Sequence, residues 1–338
     1  MLYRLWIRIV RKLNLIFGRK TKQVYLSSRI EQYHQIWKEI AKEIKANFRQ
    51  LDKDIWQLDK DGIFVRTRLH QLPLDNDIVL RICGRKPLVH KLLKEANVEV
   101  PDFQLFNIEQ FNIALTFLDK YPEGVVVKPC DGYAGLGVTT HIRNKFQLRR
   151  AIATASLYLD DFMIEKQIVG ENYRVLVFRG QVLNAVKRTG QKIIGNGQSS
   201  ISELLNSDQS NKDDDLEFTL ASQGLTEKNI PEAGKSILVR SVGNNFNGGE
   251  ELRTVYDKDV TGLLHSTIIK TVKLCADIAG SELVGVDIIT TDISKPLIET
   301  GGVINELNTT PALHHHYDKT TEKFPKPALI MIKELLKK

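Results

Sequence analysis

Cysteine is scarce: Cys83, Cys130 and Cys275 are the only three among 338 residues, an odd number, far apart, with no C-x-x-C pair. That excludes a disulfide framework and a thiolate zinc site, and it reads as a reducing, cytoplasmic setting. No apolar run approaches the ~18 residues that cross a bilayer, and nothing repeats at a fixed period. The first 22 residues hold no acid at all, only Arg4, Arg8, Arg11, Lys12, Arg19, Lys20 and Lys22. These seven account for the whole formal charge of +7, so the rest of the chain is neutral and has no global field to attract nucleic acid. Arg8, Arg11 and Lys12 also break the apolar middle that a signal peptide needs, and no small-residue cleavage site follows.

What is present is a globular composition, 42% apolar and 26% charged, in a length that suits about two domains of ~100 to 200 residues. Leu2, Leu5, Trp6, Ile9, Val10, Leu13, Ile16 and Phe17 recur at three and four, predicting a basic amphipathic helix that ends near Gly18. Such a helix suits an anionic membrane surface, giving a membrane-peripheral protein; a helix docked on its own body or on a second copy in a homodimer has the same pattern. From Ser28 the period returns in Ile30, Tyr33, Trp37, Ile40, Ala41, Ile44 and Phe48, a core-facing helix. Residues 54–58 and 63–68 alternate around Asp61-Gly62, the chemistry of a hairpin turn. Asp75 and Asp77 read as solvated turn formers.

Val125-Val126-Val127-Lys128-Pro129 reads as a buried strand, followed at once by Gly132, Gly135 and Gly137. Glycines here free the backbone to approach a polyanion, and Lys128 can meet its charge. Taken alone, the same residues also make a tight β-turn. Near the other end, Leu283–Thr290 carries Asp287, and the strand from Val303 carries Glu306 and Asn308 two apart, hence on one face. Two carboxylates and an amide form an oxygen set suited to Mg²⁺ rather than a soft metal. Carboxylates in apolar strands are costly without a cation or donor. Val175–Phe178 and Val182–Val186 alternate around Arg179-Gly180, a second hairpin that carries Arg174 and Arg188 toward one end.

The order Lys-Pro, glycine-rich loop, Glu165-Lys166-Gln167-Ile168-Val169-Gly170, Gly285-Val286-Asp287-Ile288-Ile289 and Asn305-Glu306-Leu307-Asn308-Thr309-Thr310-Pro311 resembles the ATP-grasp superfamily. Within it, the chain is similar to the ATP-grasp part of cyanophycin synthetases, from about Ile78 to Tyr317. Gly195-Asn196-Gly197 and Asn245-Phe246-Asn247-Gly248-Gly249 stand where that family has glycine-rich loops. The resemblance implies an α/β fold of two α+β lobes clasping ATP. Together with the periodicity, this divides the chain into the basic helix of residues 1–22, an N-terminal α/β unit of 23–98, a middle lobe of 99–162 with the phosphate loop, and a C-terminal lobe of 163–338 with the metal and substrate site. It makes Lys86 and Lys128 nucleotide lysines, Glu165 the acceptor of the adenine amine, Lys166 to Ile168 its backbone contacts, and Asn172 a ribose contact where the family has a carboxylate. It makes Asp287, Glu306 and Asn308 ligands of two Mg²⁺ ions, with Mn²⁺ able to substitute, and turns Arg174 and Arg188 toward the reacting carboxylate and γ-phosphate.

The implied activity is an ATP-dependent carboxylate–amine ligase that acts on small polar substrates through an acyl phosphate. The chain has counterparts of neither the N-terminal nor the Mur-ligase-like domain of cyanophycin synthetases, so their two alternating additions are not expected of it. A small-molecule kinase or a non-catalytic ATP-binding protein at a membrane surface would share the nucleotide residues. Lys128→Ala and Glu306→Ala are both expected to abolish turnover while the chain stays folded. His314-His315-His316 reads against one shared metal, because neighbours in an extended chain face opposite ways; only His316 matches a family position.

Overall fold

The computed structural model describes residues 19–131, 135, 137–207, 216–240, 242 and 258–337. In chain order the elements are α1 (Arg19–Glu43), β1 (Asn47–Asp52), β2 (Ile55–Lys60), β3 (Ile63–Arg68), α2 (Asp77–Gly84), α3 (Lys86–Glu95), β4 (Phe103–Asn107), α4 (Phe111–Lys120), β5 (Val125–Pro129), β6 (Thr139–Ile142), α5 (Lys145–Ala155) and β7 (Asp161–Lys166). They continue with β8 (Glu171–Phe178), β9 (Gln181–Arg188), β10 (Gln191–Ile194), α6 (Ile201–Ser207), α7 (Leu216–Ser222), β11 (Ser236–Arg240), β12 (Lys258–Asp259), α8 (Ser266–Ala279), β13 (Leu283–Thr290), α9 (Leu297–Thr300), β14 (Val303–Thr309) and α10 (Lys326–Leu335).

Two compact units divide these elements. One holds Pro101–Gln167 and the described part of Thr189–Arg253; the other holds Lys22–Val100, Ile168–Arg188 and the described part of Thr254–Lys338. The grouping differs from the sequence-based division in two ways. The N-terminal unit shares a core with the expected C-terminal lobe, because Trp37, Trp56 and Leu58 pack with Leu176, Phe178, Leu283 and Met331. Residues 189–240, placed with that lobe by sequence, fall in the unit of Pro101–Gln167, and within them Ile193, Ile201, Leu205, Leu220 and Ile237 close a small core of their own.

The first unit is built on an antiparallel sheet ordered β4-β7-β5-β6. Strand alternation gives it two unlike faces. Val125, Val127, Phe162 and Ile164 point to one side and pack on Ala114 and Leu118 of α4 and on Leu148, Ala151 and Ile152 of α5. Each such side chain, fully buried, is worth roughly 1.5–3 kcal/mol. The other side carries Lys128 and Glu165.

The second unit is built on the sheet β12-β9-β8-β13-β14, also antiparallel. Tyr173, Val175, Val177, Ala185, Val284, Val286, Ile288, Ile304 and Leu307 form one face, covered by Val89 and Leu93 of α3 and by Ile268, Val272 and Cys275 of α8. The polar residues alternate with them and therefore share the opposite face.

The hairpins stand where their turn chemistry puts them: Asp61 and Gly62 at φ 51° and 83°, Arg179 and Gly180 at 47° and 70°. Two boundaries differ from the periodicity. The described chain opens at Arg19 already in α1, which runs unbroken past Ser28 to Glu43. Phe48, which continues the helical period, lies in β1 instead. Lys45 turns left-handed at φ 56°, Ala46 N–H returns to Ala41 O at 2.8 Å and Lys45 N–H to Lys42 O at 3.2 Å, so a Schellman closure ends the helix first. The expected helix through residues 1–18 lies outside the described residues, as do Gly132 and the 245–249 loop.

Candidate active site

On the first unit's polar face, Lys128 of β5 and Glu165 of β7 are both buried, and Lys128 Nζ lies 2.7 Å from Glu165 Oε2. The register explains the meeting: Val126 pairs with Glu165 and Lys128 with Met163, so the two charged residues are diagonal neighbours on one face. Glu165 thus faces the lysine that the resemblance assigns to the nucleotide. The turn beyond β5 closes by Val138 N–H to Gly135 O at 3.2 Å. Gly135 and Gly137 have φ of 71° and 73°. A Cβ on Gly137 would meet the Tyr158 ring at 2.8 Å and Pro129 at 2.9 Å, so only glycine fits that approach. Lys166 donates its N–H to Asp102 O at 2.9 Å, and Ile168 follows half-buried.

The five-stranded sheet assembles a larger group. Arg174 pairs with Asp287 across β8 and β13, Asp287 with Glu306 across β13 and β14, and Asn172 with Arg188 across β8 and β9. Cross-strand partners share a face, so Asn172, Arg174, Arg188, Asp287, Glu306 and Asn308 all project from the same side. Arg174 donates Nε to Asp287 Oδ1 at 2.6 Å and its NH2 nitrogen to Oδ2 at 2.7 Å, a bidentate pair. Asn308 donates Nδ2 to Asp287 Oδ2 at 3.1 Å, which leaves its Oδ1 as an oxygen donor. Arg188 is 3.9 Å from Asp287 Oδ2 and is buried. Lys86, at the start of α3, reaches Glu306 Oε1 at 3.3 Å. Pro87 in the first turn suits that helix start, and His90 one turn on holds β14 by donating to Asn305 O at 2.9 Å.

Gly285 makes the arginine's path possible. A Cβ there would lie 3.0 Å from Pro311 Cβ and 3.3 Å from Arg174 Cδ. The donor set of two carboxylates and one amide oxygen fits a hard divalent cation. Among the described residues, no group of three or more His, Cys, Asp or Glu side chains is placed to hold a metal ion. His314 and His316 have different partners: the Tyr33 hydroxyl lies 2.8 Å from His314 Nδ1, whereas His316 Nδ1 lies 2.7 Å from Asn184 Oδ1.

Sequence reading missed Asn184, Asp259 and Thr261, which hold His316. Asn184 donates Nδ2 to Asp259 Oδ2 and Thr261 Oγ1, both at 3.1 Å, and Thr261 Oγ1 in turn donates to Asp259 Oδ1 at 2.7 Å. A buried amide in the apolar run Val182-Leu183-Asn184-Ala185-Val186 was the available signal. Asp75 accepts from Ser281 Oγ and Glu282 N–H at 2.8 Å, so it ties its loop to β13 rather than facing solvent alone.

Residues 84–203 match the model of the RimK-like ATP-grasp domain. A cyanophycin synthetase of Trichormus variabilis is 31% identical over 247 residues, 68% of this chain and 26% of that protein. A bifunctional glutathione biosynthesis protein of Clostridium perfringens is 27% identical over 264 residues, 72% of this chain and 32% of its own. The chain thus spans about a quarter to a third of these relatives' lengths. Among solved structures, a bifunctional glutathione synthetase from Pasteurella multocida superposes with a TM-score of 0.52 at 21% identity, over 86% of this chain and 41% of that one. No helix among the described residues is long and apolar enough to cross a membrane. Residues 84–203 are a RimK-like ATP-grasp domain, and the chain carries the ATP-grasp fold.

Proposed function

We propose that the protein is an ATP-dependent carboxylate–amine ligase that joins small amino-acid-like or peptide substrates and releases ADP and phosphate. The observation that carries this reading is the register of the five-stranded sheet, which presents Arg174, Arg188, Asp287, Glu306 and Asn308 on one face with Lys86 against Glu306. The similar cyanophycin synthetases and glutathione biosynthesis proteins point to the same class of reaction.

Lys128 and Lys86 neutralise the phosphates of ATP, Glu165 holds Lys128 in place and accepts from the adenine amine, and the backbone from Lys166 to Ile168 and Asn172 meet base and ribose. Asp287, Glu306 and Asn308 would hold Mg²⁺, as two ions and with Mn²⁺ as a substitute, which supplies charge neutralisation on the transferring phosphoryl group. Arg188, with Arg174 behind it, orients the substrate carboxylate for in-line attack on the γ-phosphorus. That attack breaks the bond to ADP and forms an acyl phosphate; the amine then adds to the carbonyl and phosphate leaves. No side-chain nucleophile is needed, since positioning and fixed charge supply the rate.

The test is an ADP-release screen over pairs of the twenty amino acids and short peptides with ATP and Mg²⁺, followed by product analysis. ADP, phosphate and an amide are expected. ADP with a phosphorylated product would replace this reading with a kinase, and AMP with pyrophosphate with an adenylating enzyme. The basic tail of residues 1–22 is read as a reversible hold on anionic membrane, worth ~1 kcal/mol per basic residue near the surface. Vesicle sedimentation at low salt, with and without that segment, separates it from docking on the body or on a second copy.

A further inference from the structure

His316 stands over the same sheet face as the arginines and carboxylates but has no part in the reaction as derived so far. The register places it there: Asn184 pairs with Leu176 two positions from the Arg174–Val186 pair, so Asn184 projects beside Arg174 and Arg188, and His316 bonds to Asn184. The imidazole is 3% exposed. The charged and titratable groups that act on it are Arg174, Arg188, His314 and Asp287.

Its tautomer follows from the partners. Asp259 is a carboxylate and can only accept, so the Asn184 end that faces it is the NH₂, and the end that faces His316 is the carbonyl oxygen. His316 must therefore donate from Nδ1, which leaves Nε2 a bare lone pair. That nitrogen is buried and has no hydrogen-bond partner among the described residues. Burial, reinforced by the two arginines, pushes the imidazole down to about 3, so the ring is neutral at physiological pH. A buried acceptor with no donor is costly, and a ligand that brings a donor relieves it.

The chemistry of the ligation identifies the donor, and this step rests on the ligase reading above. Three reacting groups approach this face: the γ-phosphoryl group, the carboxylate or its acyl phosphate, and the amine. The first two are acceptors only and gain nothing from a lone pair. Only the amine carries N–H bonds. We propose that His316 Nε2 accepts a hydrogen bond from the incoming amine and positions it, as the free base, against the acyl phosphate. The arginines alongside disfavour the ammonium form, so the neutral nucleophile is the species held. On attack the amine nitrogen forms the C–N bond, phosphate leaves with the C–O electron pair, and the surplus proton leaves with phosphate; His316 need not be protonated.

The experiment separates acid activation from amine capture. Wild type, His316→Leu and His316→Gln are compared with the acid–amine pair found among the twenty L-amino acids, and acyl phosphate is trapped independently with hydroxylamine. Hydroxamate formation at saturating hydroxylamine should be unchanged in His316→Leu, which also reports an intact fold, while KM for the amine rises at least tenfold and KM values for ATP and acid stay put. His316→Gln, which keeps an acceptor oxygen, should recover part of the loss. In ¹⁵N-histidine spectra of the wild type, the Nε2 signal should be unprotonated at pH 7 and should move when the amine is added with acid and a non-hydrolysable ATP analogue. An unchanged amine KM, or an equal loss of hydroxamate formation, would overturn the assignment and leave the ligase reading standing. Absence of ADP release with every pair would remove the ligase reading first, and this assignment with it.

Discussion

On the four-stranded sheet one lysine meets one carboxylate, Lys128 with Glu165 at 2.7 Å, and both are buried. On the five-stranded sheet Arg174, Arg188 and Lys86 meet Asp287 and Glu306 in a shared group with Asn308. The first arrangement is a buried pair of opposite charges on neighbouring strands. The second keeps more cation than carboxylate and several partners per group, which suits a face that must accept phosphate and lose it again. A buried pair is unforgiving of single changes, whereas a network spreads the loss.

The largest effect should come from breaking the network where its charge does chemistry. Glu306→Gln, which keeps an acceptor for Lys86, should lower kcat about 10²- to 10³-fold, on the scale of losing one transition-state contact, with a melting temperature close to that of wild type. Near-normal turnover would remove Glu306 from the site. Lys128→Met should then separate the two faces by stability. It removes the cation beside Glu165 Oε2 in the interior, a cost of about 3–5 kcal/mol by urea unfolding, and adding Glu165→Leu should restore most of it. This revises the expectation that a Lys128 variant simply stays folded, because the burial of its partner was not legible. A double variant no more stable than the single would show that the loss does not come from Glu165 buried without its lysine.

Gly285→Ala sharpens the contrast on the second face. The added methyl would crowd Pro311 and Arg174, at an overpacking cost of roughly 1–3 kcal/mol, and should weaken the Arg174–Asp287 pair, read as a rise in KM for MgATP. A smaller effect concerns pH. His316 is held down to about 3 by burial, then by Arg174 and Arg188, while the unfolded chain protonates near 6.5. Between those values the unfolded state binds more protons, so stability should fall as pH drops, by at most ~1.4 kcal/mol per pH unit from this group. His316→Gln should flatten that slope between pH 6 and 4; an identical slope would contradict the neutral ring. Least of all should change at Cys83 and Cys275, whose thiols burial pushes up to about 12 and which should resist alkylation in the native protein.

The strands that carry Asp287, Glu306 and Lys128 were legible because buried strands announce themselves by β-branched runs, and a two-residue spacing fixes a shared face. The helix of Lys86 was legible from its proline. Pairing was not, since register depends on partners distant in sequence: nothing local to Glu165 tells that it lies beside Lys128, and nothing local to Asn184 tells that it anchors His316. The end of α1 was misjudged for the converse reason, as Phe48 keeps the helical period after Lys45 has already turned the chain. Cores decided the division into units, because Trp37 and Trp56 find their cover on Leu176 and Leu283 from far along the chain.

The central claim is that the face of Arg174, Arg188, Asp287, Glu306 and Asn308 serves an acyl-phosphate ligation. Turnover with the substrate acid labelled in both carboxylate oxygens with ¹⁸O tests it most directly, by mass analysis of the released phosphate. An acyl phosphate transfers one labelled oxygen to each phosphate and leaves the other in the amide. Unlabelled phosphate alongside an amide that keeps its label, or label recovered in AMP, would contradict the account.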